Sequence, residues 1–126
     1  ILTDTPYRSD FSQEEIAAMC KKLSKTGVSQ IVVTGIEKDN LIGNALYENG
    51  DFDILYGEKV LPLRPGTGDV FASILAGCSL HNIPLRDAIQ QASAFIRNCL
   101  ITSAQYHIPI NDGVCFEEHL GMLIPE

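Results

Sequence analysis

The stretch RPGTGDVFAS, residues 64–73, decides how this chain is read. Three small residues, Gly66, Thr67 and Gly68, precede an acid, Asp69, and an apolar run from Val70 to Ala76 follows at once. A helix that begins here presents unpaired backbone N–H groups and a partial positive charge at its first turn. Glycines let an anion approach those groups, because no Cβ stands in the way. The turn is therefore a candidate anion hole. It is not a Walker A loop, since the GxxxxGK[ST] spacing is absent, and it lacks the third glycine of GxGxxG.

Asp69 is favoured in a first turn by the helix dipole. It also stands beside the place where a phosphate would be held, where it can take the proton of an attacking hydroxyl. Phosphoryl transfer needs that combination, donors on the transferring group and a base on the nucleophile. The plainer reading makes Asp69 a cap and Gly66-Thr67-Gly68 a tight turn. From the residues alone it is the more frequent of the two.

Downstream, a helix over about 69–81 is apolar nearly all round and is predicted to be buried. Ala72, Ala76, Gly77 and Cys78 would let it pack closely on a sheet. Asn82 can end it in a left-handed conformation, and Pro84 opens the next helix. Leu85, Ala88, Ile89, Ala92, Phe95, Ile96, Cys99 and Leu100 form one stripe, which predicts a helix to about 102. A short helix near 116–123 closes the chain.

Upstream, Ser12-Gln13-Glu14-Glu15 is a capping box. Ile16, Met19, Cys20 and Leu23 follow at helical spacing, and Gly27 supplies the stop, so a helix is predicted over about 13–25. The run at 28–34, VSQIVVT, reads as a strand buried on both faces of a parallel sheet. Glu37 to Asn40 reads as a polar connection. Strands at about 41–48 and 52–57 flank Asn49-Gly50, the strongest short hairpin signal. Val60 to Leu63 is extended, because Pro62 and Pro65 block helix. One parallel-type strand and one hairpin are too little sheet for three helices with apolar faces. The missing strands are expected from a partner chain or from an absent N-terminal half.

Composition narrows the function classes. Of the 126 residues, 45% are hydrophobic and 20% charged, a globular balance. The net charge of −7, with no basic cluster, argues against nucleic acid and against an anionic membrane surface. The apolar runs are too short to span a bilayer. Cys20, Cys78, Cys99 and Cys115 form no CxxC pair, and His81, His107 and His119 show no ligand spacing. Reduced cytoplasmic thiols are expected rather than a disulfide framework or a zinc site.

Gly66-Thr67-Gly68-Asp69 before a small-residue apolar helix resembles the signature of the ribokinase-like superfamily. Within it, the chain resembles the C-terminal half of pyridoxal/pyridoxamine kinases. Ile31-Val32-Val33-Thr34-Gly35 is similar to that family's nucleotide-side strand, the Asn49-Gly50 hairpin falls where the family has one, and Leu63-Arg64-Pro65 leads into the turn as such kinases often do. The resemblance implies an α/β, three-layer, ribokinase-like fold, with residues 1–126 as the C-terminal half of one kinase domain. It implies Asp69 as the base on a substrate hydroxymethyl group, with Gly66, Thr67 and Gly68 holding the transferring phosphate. Thr34 and Gly35 would lie near the ATP phosphates, and Val60, with part of the helix around 92–101, would border the adenine. For Thr34 a polar strand end is an equal alternative, and for Val60 ordinary core is the commoner one. Lys59 and Arg64 read as solvated turn charges.

The implied reaction is ATP- and Mg²⁺-dependent phosphorylation of pyridoxal, pyridoxine or pyridoxamine, with a monovalent cation as a further option and a cytoplasmic homodimer as the assembly. The substrate pocket, the lid and the acid that helps hold Mg²⁺ would lie ahead of Ile1, so the 126 residues alone are expected to be inactive. Hydroxymethylpyrimidine kinase is the alternative within the class, although that branch frequently has Cys where Asp69 stands, and a sugar or nucleoside kinase is third. A non-catalytic nucleotide-binding module and a purely structural α/β piece are the rivals from other classes.

Overall fold

The computed structural model describes residues 2–124; Ile1, Pro125 and Glu126, the ends of the expected half-domain, lie outside the described residues. The chain divides into two compact units, one ending at Tyr56 and the other beginning at Gly57.

The first unit packs helix α1 (Gln13–Ser24) with strands β1 (Gln30–Lys38), β2 (Leu41–Glu48) and all but the last two residues of β3 (Asp51–Glu58), in sheet order β1-β2-β3. The capping box forms as the sequence dictates: the Ser12 hydroxyl accepts the Glu15 amide at 3.2 Å, and the Glu15 carboxylate accepts the Ser12 amide at 2.8 Å. These bonds, with Arg8 beside it, hold the Glu15 carboxyl below its ordinary range. Asn49 and Gly50 both adopt positive φ, 51° and 92°, as a two-residue hairpin turn between right-twisted strands requires. Ile16 and Cys20 of α1 bury against Ala45 and Tyr47 of β2, with Ile31, Val33 and Ile36 of β1 packed alongside.

Two expectations about β1 are corrected. It pairs antiparallel with β2, and its residues are half-buried or exposed rather than buried on both faces. It also runs on through Glu37 and Lys38 to a two-residue turn, Asp39-Asn40. Polar residues are accommodated there because that end of the strand is exposed. Among the described residues β1 has one strand neighbour, so the parallel pairing implied by its apolar run is not made within them.

The register explains an oddity of β1. Val33 faces Ala45 and Ile36 faces Gly43, so Thr34 and Gly35 together oppose Asn44 alone. This is a β-bulge, with Gly35 at φ 77°. Side chains alternate along a strand, and an unbroken β1 would send Ile36 to the face opposite Ile31 and Val33. The extra residue returns Ile36 to the core face, where it joins Ile16, Cys20, Ala45 and Tyr47.

The second unit is built on helices α2 (Thr67–Leu80) and α3 (Leu85–Gln105), followed by 3₁₀ segments Ile110–Asp112 and Glu117–Leu123. The predicted closing helix is thus present as 3₁₀ rather than α. Asn82 has φ 56°; its amide donates to Ser79 at 3.1 Å, and that of Ile83 to Cys78 at 3.0 Å. This pair of bonds is the Schellman cap. The same cap closes α3, three residues beyond the predicted end, with His107 at φ 52° and Ile108 donating to Ser103 at 3.0 Å. The α3 stripe is buried at Ala88, Ile89, Ala92, Phe95, Cys99 and Leu100. By contrast, α2 is not buried all round: Phe71, Ile74 and Cys78 are covered, Ala72 and Ala76 are exposed, and Leu80 is 85% exposed. Within its unit α2 packs on α3, so one stripe is covered.

Candidate active site

Helix α2 begins two residues earlier than predicted. Gly66 is its N-cap, in the left-handed region at φ 85°, and no side chain caps the turn. The first intrahelical bond of the backbone is Val70 N–H to Gly66 C=O at 3.1 Å. The amides of Thr67, Gly68 and Asp69 precede it, as the unpaired donors of a helix start do. A Cβ built at Gly66 or Gly68 would meet nothing within 4 Å, so both faces of the turn are open to an approaching group. Open amides and a helix dipole are the chemistry by which helix starts attract anions.

Asp69 is the third residue of α2, not its cap, and it is exposed. Its backbone carbonyl accepts the Ser73 hydroxyl at 2.8 Å. The plainer reading of Asp69, a capping role, is thereby removed: Gly66 occupies that position. What is left is a carboxylate in the first turn, beside the open amides. Thr67 turns its hydroxyl back on the Arg64 carbonyl at 3.4 Å, so its amide rather than its side chain is the group available.

Arg64 overturns its expected status as a solvated turn charge. It is 7% exposed. One terminal nitrogen donates to the carbonyls of Pro109 and Gly113, each at 3.0 Å, and the other to that of Ile108 at 2.8 Å. No local sequence signal marks this, because the partners lie 44 to 49 positions away. Lys59 is half-buried.

Thr34 and Gly35 fall in the first unit, whereas Val60 and Gly66 to Asp69 fall in the second. Thr34 and Gly35 come together at the bulge of β1, both exposed. Val60 is half-buried and precedes a cis Leu61–Pro62 peptide. A shallow groove lined by Thr5, Arg8, Phe11, Glu15, Met19 and Lys22 contains none of the predicted site residues.

The described residues contain no group of three His, Cys, Asp or Glu side chains placed to hold a metal ion. Asp69 at the glycine turn is therefore not part of a metal-binding cluster among the described residues. Among the described residues the four cysteines are free thiols, with Cys20, Cys78 and Cys99 buried and Cys115 partly so. No helix among them is long and apolar enough to cross a membrane.

The family model described as phosphomethylpyrimidine kinase matches residues 2–113. The chain belongs to that family. Membership places it in the ribokinase-like superfamily, as its glycine turn implied. No curated protein matches it in sequence.

Among solved structures, the chain is similar to a candidate phosphomethylpyrimidine kinase of Bacteroides thetaiotaomicron in its rhombohedral crystal form. The TM-score is 0.88 at 23% identity, covering 98% of this chain and 44% of that one. The orthorhombic form of that protein, crystallised with pyridoxal, gives a TM-score of 0.86 at 24% identity over 98% and 45% of the two chains. Pyridoxal kinase from Lactobacillus plantarum gives 0.82 at 24% identity over 97% and 44%. At these identities the likeness is one of fold: this phosphomethylpyrimidine kinase family member has an α/β, ribokinase-like fold. It spans a little under half the length of these neighbours.

Proposed function

We infer that this chain is the C-terminal, phosphate-binding and catalytic-base half of an ATP-dependent kinase acting on the hydroxymethyl group of a B6 vitamer. The observation that carries this reading is the start of α2, where an uncapped, open helix N-terminus and an exposed first-turn carboxylate stand together.

In the proposed step, Asp69 accepts the proton of the substrate hydroxymethyl group. That oxygen forms a bond to the γ-phosphorus of ATP while the bond from phosphorus to the bridging β,γ-oxygen breaks, and ADP leaves. The amides of Thr67 and Gly68 face the charge carried by the transferring group, as fixed donors that need no reorganisation. Mg²⁺, when bound with ATP, would neutralise phosphate charge. Thr34 and Gly35, both exposed at the bulge, are proposed on the nucleotide side, and Val60 on the adenine border. Free, buried thiols accord with a reducing compartment, the cytoplasm, and the homodimer remains part of the proposal.

A second reading is favoured by the family model itself, whose description names phosphomethylpyrimidine. The B6 reading is supported by the pyridoxal in the neighbour's crystal and by an aspartate rather than a cysteine at position 69. The full-length protein, assayed through ADP release with pyridoxal, pyridoxine, pyridoxamine and hydroxymethylpyrimidine side by side, separates them. Turnover of at least one vitamer is expected; turnover of the pyrimidine alone would reverse the ranking.

A further inference from the structure

Among the described residues, Arg64 is the buried charge that the reaction scheme does not use. The residue is 7% exposed, and the partners that hold its guanidinium are three backbone carbonyls, of Ile108, Pro109 and Gly113. Its Nε is the buried side-chain nitrogen that lacks a hydrogen-bond partner among the described residues. Burying a guanidinium against neutral acceptors is expensive, and well-packed apolar residues do the same filling at less cost. A simple brace does not call for it.

What the charge touches is informative. Ile108 is the residue whose amide closes the Schellman cap of α3, and Gly113 ends the Ile110–Asp112 segment at φ 81°. A Cβ on Gly113 would lie 3.6 Å from the Pro65 carbonyl, so segment 108–113 passes against the entrance to the glycine turn. On its own backbone, Arg64 accepts the Thr67 hydroxyl. One residue therefore holds the turn from both sides, through its side chain to the end of α3 and through its carbonyl to the first residue of α2.

We propose that Arg64 is a positioning residue for phosphoryl transfer, which locks the glycine turn to segment 108–113 and so sets where the Thr67 and Gly68 amides meet the phosphate. The proposal rests on the kinase reading above. The guanidinium fork spans three separate carbonyls, which a lysine ammonium cannot match.

The test uses the full-length protein with Arg64→Ala and Arg64→Lys, measuring kcat and KM for ATP well below each variant's melting temperature, with and without added guanidinium. A displacement of about 1 Å in a reacting geometry can lower rate about 10²-fold. The expected result is a kcat loss of about that size in Arg64→Ala, a much smaller change in KM, partial recovery with guanidinium, and an intermediate kcat in Arg64→Lys. A folded variant of either kind with wild-type kcat overturns the proposal. So does a loss that follows only the fraction of folded protein and is not relieved by guanidinium. If Arg64→Ala does not fold, Arg64→Lys and its kcat-against-KM split decide alone. A wild-type protein that turns over neither the vitamers nor the pyrimidine removes the kinase reading, and this inference with it.

Discussion

The Ser103 hydroxyl accepts the amide of Cys115 at 2.8 Å while donating to the carbonyl of Cys99 at 2.7 Å. Ser103 is fully buried on α3, so its side chain pins the segment after Gly113 to the helix. Nearby, the Thr102 hydroxyl meets His119 Nε2 at 2.8 Å. These two residues fix the chain on the far side of the segment that Arg64 holds.

Replacing Ser103 by alanine removes the acceptor for the Cys115 amide and leaves that donor unpaired. The expected loss is about 1–3 kcal/mol, the penalty for a buried unsatisfied group. Thermal or urea unfolding of the full-length protein checks it. A Ser103→Ala variant as stable as the parent would mean that the segment is held by other contacts.

The two glycines of the turn should behave differently. Gly66 adopts φ 85°, so Gly66→Ala forces a side chain into the left-handed region, at roughly 1–2 kcal/mol. Gly68 has no such conformation and open space around its Cβ position. Alanine there is a better helix former by up to about 1 kcal/mol. Gly68→Ala should therefore melt no lower than the parent, yet lose turnover, because a methyl group would stand where the phosphate approaches. Equal activity in Gly68→Ala would show that nothing comes close to that face.

Alkaline pH should destabilise the second unit. Burial, with Cys115 beside it, pushes the Cys99 thiol up to about 11 from 9.0. Burial raises Cys115 as well, and a hydrogen bond to Glu118 raises Tyr106. A group raised on folding contributes stability in full below its unfolded value, and that contribution is lost as pH climbs toward the folded one. Urea midpoints should hold steady up to about pH 9 and then fall toward about pH 11. Cys99→Ala should flatten part of that fall. Alkylation of Cys99 in the folded protein should be slow at neutral pH.

Local chemistry made much of the fold legible. The capping box at Ser12, the Asn49-Gly50 turn, the left-handed Asn82 and the α3 stripe each announce themselves within a few residues, and each is present. The pairing of β1 was not legible, because an apolar run reports burial and not which strand lies beside it. The bulge at Thr34-Gly35 shows only once Ile36 must share a face with Ile31 and Val33. At the candidate site, the glycine turn and Asp69 were readable from order alone. The cap assignment was not, since left-handed Gly66 moves the helix start forward by two residues. The burial of Arg64 has no local signal, because it depends on carbonyls distant in sequence.

Asp69 carries the central claim, and kcat of the full-length Asp69→Asn enzyme tests it most directly. Asp69 does not cap α2, so the exchange forfeits at most a first-turn dipole interaction of about 0.3–1 kcal/mol, and the melting temperature should barely move. Loss of a general base lowers turnover by roughly 10²- to 10⁴-fold, and a kcat reduced to that extent in a folded variant that still binds ATP is the predicted result. A folded Asp69→Asn enzyme with the parent's kcat would contradict the proposed mechanism.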